Sequence, residues 1–487
     1  MEINDLTPAE LRVWRAFSRG APVDFRTGAD ENTADGGGWG PERTLRASVL
    51  RALLVSAPQE EGEIAALRVA GARITGLLDL THAVLDHPLR LSHCHFEQRP
   101  ELYGIQVRRL SLPGSVLPGL GLNGARVDGT LRLSDCRIDG TLRLAAAQIS
   151  GALFLDGAEL NAPDATEPAL KLDQAVVNDD LWAPGLRVRG EVRLSGATVT
   201  GSVNLGEALL DRPGRLALDG QTLTVEGDVL LRGTEVNGWI GLRNARITGR
   251  LDLSHARLRN PGSTALRARS AVIGELWLRK GPRPEGALNL RRAQIDDLFI
   301  EPEVVPDEVR LDNLVYTSLT KHEPAERRLP MLERDTDGYV PHAYEQLTAA
   351  YRRIGDDNAA RLVQLAKQRR HRSTLPWYGR LWGHVQDATV GYGFRPLRAC
   401  GWLLSLLALG SVAYALNEPP PLKADEAPHF NPVFYTLDLL LPVISFGQEG
   451  AFDPAGWCQA LSYLLVLTGW VLATAVLAGV TRTVSRQ

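Results

Sequence analysis

An eleven-residue repeat limits this chain's fold more than any other feature. In GTLRLSDCRIDGTLRLAAAQISGALFLDGAEL, Gly129, Gly140 and Gly151 recur at that step, as do Leu131, Leu142 and Leu153. Cys136, Ala147 and Ala158 recur with them, so the unit reads L-x-L-x-x-A-x-I-x-G-x. Leu67, Leu78 and Leu89 hold the first leucine in an earlier run, with Ala72, Ala83 and Cys94 at the small position. Leu170, Leu181, Val192 and Val203 continue the register, then Val229, Ile240 and Leu251 above Thr234, Ala245 and Ala256. Roughly twenty such units lie between residues 67 and 300.

L-x-L and A-x-I each alternate with period two, as short strands do, and the period of 3.6 that a helix needs is never sustained. The glycines suit corners, where positive φ costs little. The small position implies a narrow interior. One unit cannot bury its apolar face alone, but stacked units can. Two units make a coil of about 22 residues with four short faces, and about ten coils make a rod of roughly 50 Å. The insertions NAPDATEP and RNPGST read as corner loops and candidate contact sites.

The spacing of five then six, with a small residue two before a large apolar one, resembles pentapeptide-repeat proteins over about half the chain. The extra residue per pair and the frequent glycine depart from that family's pattern. The resemblance implies a right-handed parallel β-helix, a scaffold that binds partners in many contexts.

Five segments follow: a helical N-terminal cap (1–60), the β-helix (61–302), a proline- and acid-rich linker (303–340), a cytoplasmic helical connector (341–396) and a two-transmembrane domain (397–487). In the cap, Thr7, Pro8 and Glu10 form a capping-box start. PERTLRASVLRALLVSAP reads as a second helix with Leu45, Val49 and Leu53 on one face. In the connector, Tyr344, Leu347, Tyr351 and Ile354 share a face. MEINDLTPAELRVW has charges and no apolar run, so no secretory signal is expected.

Residues 399–416 and 457–480 carry no formal charge and are long enough to cross a bilayer as helices. Arginines precede the first and follow the second, while Lys423 is the basic residue between them. By the positive-inside rule both termini face the cytoplasm of a multi-pass cell-membrane protein. Arg369, Arg370 and Arg372 form a basic flank suited to solvent or to anionic headgroups.

Between the two apolar segments lies PVFYTLDLLLPVISFGQEG. Asn431 and Pro432 can start a helix, and Pro442 ends it too early to span. Asp438 within it favours burial in protein or a wet cavity. Span, short helix, extended loop and span resemble the pore unit of two-transmembrane ion channels. On that resemblance Val443 falls at the filter threonine, Ser445 at the first glycine, Phe446 at the aromatic, Gly447 at the second glycine and Gln448 at the acid. The stretch from Tyr344 to the end also resembles pentapeptide-repeat proteins that carry such a unit. The whole chain is similar to actinobacterial membrane proteins, some labelled membrane-associated oxidoreductase.

No residue pattern here points to catalysis. Gly119, Gly121 and Gly124 match G-x-G-x-x-G, but a strand-type repeat follows where a nucleotide site needs a helix. His93 and His95 flank the interior Cys94, so they point outward and read as surface residues without a ligand cluster. Asp135, Asp139 and Asp156 read as a solvated face. Gly391-Tyr392-Gly393 lies before the first span and reads as a flexible entry to it. The four cysteines are far apart, which argues against a disulfide framework or structural zinc. A net charge of −3 gives no global case for nucleic acid. The expected partners are the bilayer, a protein on the β-helix and further copies of the chain. The leading reading is a membrane-anchored binding or sensing module coupled to a channel-like two-span unit, without catalytic residue, cofactor or metal. Its alternatives are an oligomeric pore with a degenerate filter and a membrane-associated oxidoreductase.

Overall fold

The structure, a computed structural model, describes residues 5–28, 31–56, 63–162, 166–393, 396–423, 428–441 and 444–484. It divides into two compact units, residues 1–346 and 347–487.

The first unit is a parallel β-solenoid of about 11 turns. Four ladders run along it: Leu131 pairs with Leu153, Arg137 with Val116, Leu142 with Leu120, and Gln148 with Arg126. Each half-coil therefore supplies two short strands, and a coil has four faces. Leu131, Leu133, Cys136, Ile138, Leu142, Leu144 and Ala147 are all fully buried, which fills the interior with one repeated set of side chains. The small position also holds polar groups that reach the coil below. The Cys136 thiol donates to Leu112 O at 2.9 Å and Thr234 Oγ1 to Leu205 O at 2.7 Å. These bonds satisfy buried polar atoms in an otherwise apolar interior.

The repeated glycines are not the left-handed corners. That conformation falls at the residue before the small position, on Asp135 (φ 56°), Ala146 (φ 55°) and Gly157 (φ 64°). Gly140 is needed for close approach instead: a Cβ there would stand 2.5 Å from Pro118 O of the neighbouring coil.

Both ends of the solenoid and one insertion within it differ from expectation. Thr44–Arg46 is a strand, paired with Arg73–Thr75, and the helix α2 begins only at Ala47 (Ala47–Ser56). With Val23–Asp24, paired to Val69–Ala70, it starts the ladders, while helix α1 (Pro8–Phe17) has the expected capping box. Secondly, the ladders pass residue 302: Val309–Arg310 pairs with Leu288–Asn289, and Val315–Leu319 with the strand Gln294–Ile300. The expected linker then folds as helix α3 (Ala325–Glu333), and the Asp335 carboxylate accepts Leu311 N–H at 2.9 Å. Thirdly, RNPGST lies inside the long strand Arg257–Arg267, whose ladder shifts register between Arg259 and Thr264. NAPDATEP lies partly outside the described residues.

Helix α4 (Pro341–Arg353) buries Tyr344, Leu347 and Tyr351, but Ile354 lies past its end and is 61 % exposed. In the second unit α5 (Asp357–Thr374) and α6 (Trp377–Val390) precede α7 (Pro396–Leu416), α8 (Pro432–Leu440) and α9 (Trp457–Val484). The segments expected to span are helical. Among the described residues, however, no helix is long and apolar enough to cross a membrane. Side chains at the start of α7 and beyond residue 473 of α9 lie outside the described set.

Candidate functional site

Helices α7, α8 and α9 pack around Tyr414, Tyr435, Leu439, Leu440, Phe452, Cys458 and Leu465. The Tyr414 and Tyr435 rings meet edge to face at 4.8 Å, and the Tyr414 hydroxyl donates to Cys458 O at 3.1 Å. Glycines permit the close crossings. A Cβ on Gly410 would collide with Thr436 Cγ2, and one on Gly469 with Leu440 O.

The short helix α8 starts as its residues dictate, with Asn431 Oδ1 accepting Val433 N–H at 3.0 Å and Phe434 N–H at 3.3 Å. Pro442, expected to break the helix, and Val443, placed at the filter threonine, lie outside the described residues. The other loop residues gather on one side chain. Asp438 is 4 % exposed, and its carboxylate accepts the backbone N–H groups of Phe446, Gln448 (2.7 Å) and Glu449 (3.1 Å). Charge-assisted bonds of this kind are roughly twice as strong as neutral ones.

None of the described peptide bonds is cis, and in a trans peptide N–H and C=O point in opposite directions. The carbonyls of Ser445 and Gly447 are therefore directed away from Asp438. Gly447 has φ 81°, which favours glycine there. The Phe446 ring lies 5.4 Å from that of Phe434, and the Gln448 side chain bridges Asn431 N–H (3.2 Å) and His429 O (3.2 Å). An acid in an apolar helix was the only sequence signal for this arrangement. Its amide partners were not legible.

Two arginines of the basic flank pair with a carboxylate, although Arg369 stays exposed. Arg369 grips the Asp387 carboxylate through Nε at 3.0 Å and Nη2 at 2.9 Å, Arg372 Nη1 adds a contact at 3.3 Å, and Arg370 is half-buried. Burial would raise the Asp387 carboxyl, but the hydrogen bonds and charges of Arg369 and Arg372 outweigh it and hold it below the usual range. The next turn contains Gly391 and Tyr392, both left-handed, which link α6 to α7.

In the solenoid the remaining candidates serve the stack. Gly121 lies in the strand Leu120–Gly121, and another strand, Arg126–Val127, follows where a nucleotide site needs a helix. His93 and His95 are half-buried rather than exposed, because Gly114 of the next coil packs against His93 and the N-terminal segment around Gly36 lies against His95. Asp156 accepts from Ser134 Oγ at 2.7 Å, and Asp139 pairs with Arg137 and accepts from Asn161 at 3.0 Å. Burial pushes the thiols of Cys94 and Cys136 up to about 12, which keeps them protonated and poorly nucleophilic. Among the described residues no group of three or more His, Cys, Asp or Glu side chains could hold a metal ion.

No protein-family model, curated protein or solved structure matches this chain.

Proposed function

We propose that the chain is a binding or sensing solenoid attached to a bilayer by its C-terminal helices, with both termini cytoplasmic. The repeat with its small interior residue supports a right-handed, pentapeptide-repeat-like winding. The observation that carries membrane attachment is the outer surface of the second unit. Trp377 (75 % exposed), Tyr378, Leu381, Trp382 and Val385 form an aromatic stripe on α6. Trp402, Leu404, Leu409 and Val412 of α7, and Tyr463, Leu464, Leu467 and Trp470 of α9, are exposed as well. Apolar surface of this extent calls for lipid or protein cover, and Trp and Tyr favour the headgroup level. In this reading α7 and α9 enter the bilayer and α8 re-enters between them.

Vesicle reconstitution of the full-length chain tests it. Alkaline carbonate should leave the protein with the vesicles, and brominated lipids should quench tryptophan emission. Release by carbonate with unchanged emission would rule the anchor out.

An oligomeric pore is the second reading, favoured by the Ser445 and Gly447 carbonyls turned away from Asp438. Two spans cannot enclose a pore, so it requires several copies. Light scattering in detergent should give a defined oligomer, with vesicle ion flux that Gly447→Val abolishes. A monomeric mass would exclude the pore.

A further inference from the structure

One solenoid face bears a column of outward residues beside the inward leucines. Arg68 pairs with Arg90, Arg90 with Ser111, Ser111 with Arg132, and Arg132 with Phe154. Beyond Phe154 the column changes character, continuing through Trp182, Asn204 and Leu230. The basic run is thus confined to the N-terminal coils, and the repeat does not impose it.

A groove of about 700 Å³ lies over this run, lined by Arg26, Arg68, Arg90, Arg109 and Arg132 with the hydroxyls of Ser111 and Thr130. Its one acid, Asp24, is held by Arg26 at 2.8 Å. Arg68, Arg90, Arg109 and Arg132 have no carboxylate partner among the described residues. Elsewhere outward arginines are often paired, as in Arg143–Glu167 (2.7 Å), Arg193–Glu191 (2.6 Å) and Arg250–Glu275 (2.9 Å). Like charges directly opposite across paired strands are destabilising, so Arg68 beside Arg90 costs the fold stability. The Arg132 guanidinium lies 4.0 Å from the Phe154 ring centroid, a cation–π contact at the end of the groove. His93 senses the same field: burial first, then Arg26 and Arg90, disfavour its protonated form.

From Arg68 to Arg132 is three coil steps, about 14 Å. A single phosphate cannot bridge that length, and a volume of this size suits a small molecule. Guanidinium forks match phosphate oxygens in bidentate fashion, and the hydroxyls add donors. We propose that this groove binds a small elongated anion carrying two or more phosphate groups. The assignment rests on the solenoid's role as the binding module and names its ligand class.

Tripolyphosphate titrated into the full-length detergent-solubilised chain by calorimetry tests it. Tripolyphosphate should bind about tenfold or more tighter than orthophosphate or a hexaglutamate peptide, and should raise the melting temperature. R90Q and R132Q should each weaken binding about tenfold, whereas R243Q, outside the groove lining, should not. Absence of heat and of a melting shift in the wild-type chain would overturn the proposal, whatever the variants do. So would equal affinity for hexaglutamate, or wild-type affinity in a folded R90Q. Tighter binding of a short single-stranded oligonucleotide would overturn it in favour of a strand-binding surface. None of these outcomes bears on the vesicle experiment, so the groove and the membrane anchor fail separately.

Discussion

The buried Asp438 carboxylate accepts the Gln448 backbone N–H at 2.7 Å, which ties helix α8 to the loop ten residues later in the chain. Asp438→Asn would replace an anionic acceptor with a neutral amide whose NH₂ faces backbone donors. Hydrogen bonds to charged groups contribute about 1.5–3 kcal/mol each. The variant should lose about 2–4 kcal/mol in the helical unit, read as a lower detergent melting temperature and faster proteolysis after Phe446. Unchanged proteolysis would show that the carboxylate does not hold the loop.

Gly469 crosses directly against the Leu440 carbonyl, and Gly410 against the Thr436 Cγ2 methyl, a side-chain atom rather than backbone. Backbone cannot yield as a side chain can. Gly469→Ala should therefore cost about 2–3 kcal/mol and Gly410→Ala less, with melting temperatures in one detergent as the measurement.

In the solenoid two neighbouring positions should respond in opposite directions. Gly140→Ala places a Cβ 2.5 Å from Pro118 O and should destabilise by about 2 kcal/mol. Ala146→Gly relieves a left-handed alanine, worth about 1–2 kcal/mol, against the added unfolded-state entropy of glycine, which costs about 0.4–1 kcal/mol. The net gain should lie between about 0 and about 1.6 kcal/mol. Denaturant midpoints of the two variants should bracket the parent.

The N-terminal cap should be sensitive to acid. Burial would raise the Glu10 carboxyl, but bonds from Arg46 and the Thr7 amide bring it from 4.5 down to about 2. A depressed folded-state pKa stabilises above the unfolded value and is lost as pH falls through the folded one. The contribution, roughly 3 kcal/mol, should be complete above pH about 4.5 and vanish toward pH about 2. Glu10→Gln should remove this pH dependence, as followed by amide exchange in α1. An unchanged acid profile in the variant would assign the effect to other groups.

Local order was legible because it repeats. The step from Leu131 to Leu142 to Leu153, with Cys136 and Ala147 between them, specifies inward leucines and a narrow interior without knowledge of any distant contact. The Thr7–Glu10 capping box and the Asn431–Pro432 helix start are equally local. What the tertiary structure decided depends on neighbours that only coil stacking or helix packing provides. Gly140 reads as a corner until Pro118 of the adjacent coil lies beneath it. Thr44–Arg46 reads as helix until the strand Arg73–Thr75 offers it a ladder. Arg369 and Arg372 read as a solvated flank until α6 brings up Asp387. Arg68, Arg90 and Arg132 are scattered along the sequence and become one column because each coil places its outward residue over the last. Periodicity encodes which face a side chain occupies. Its partners depend on the winding of the backbone, where separations of about one coil become a few ångströms.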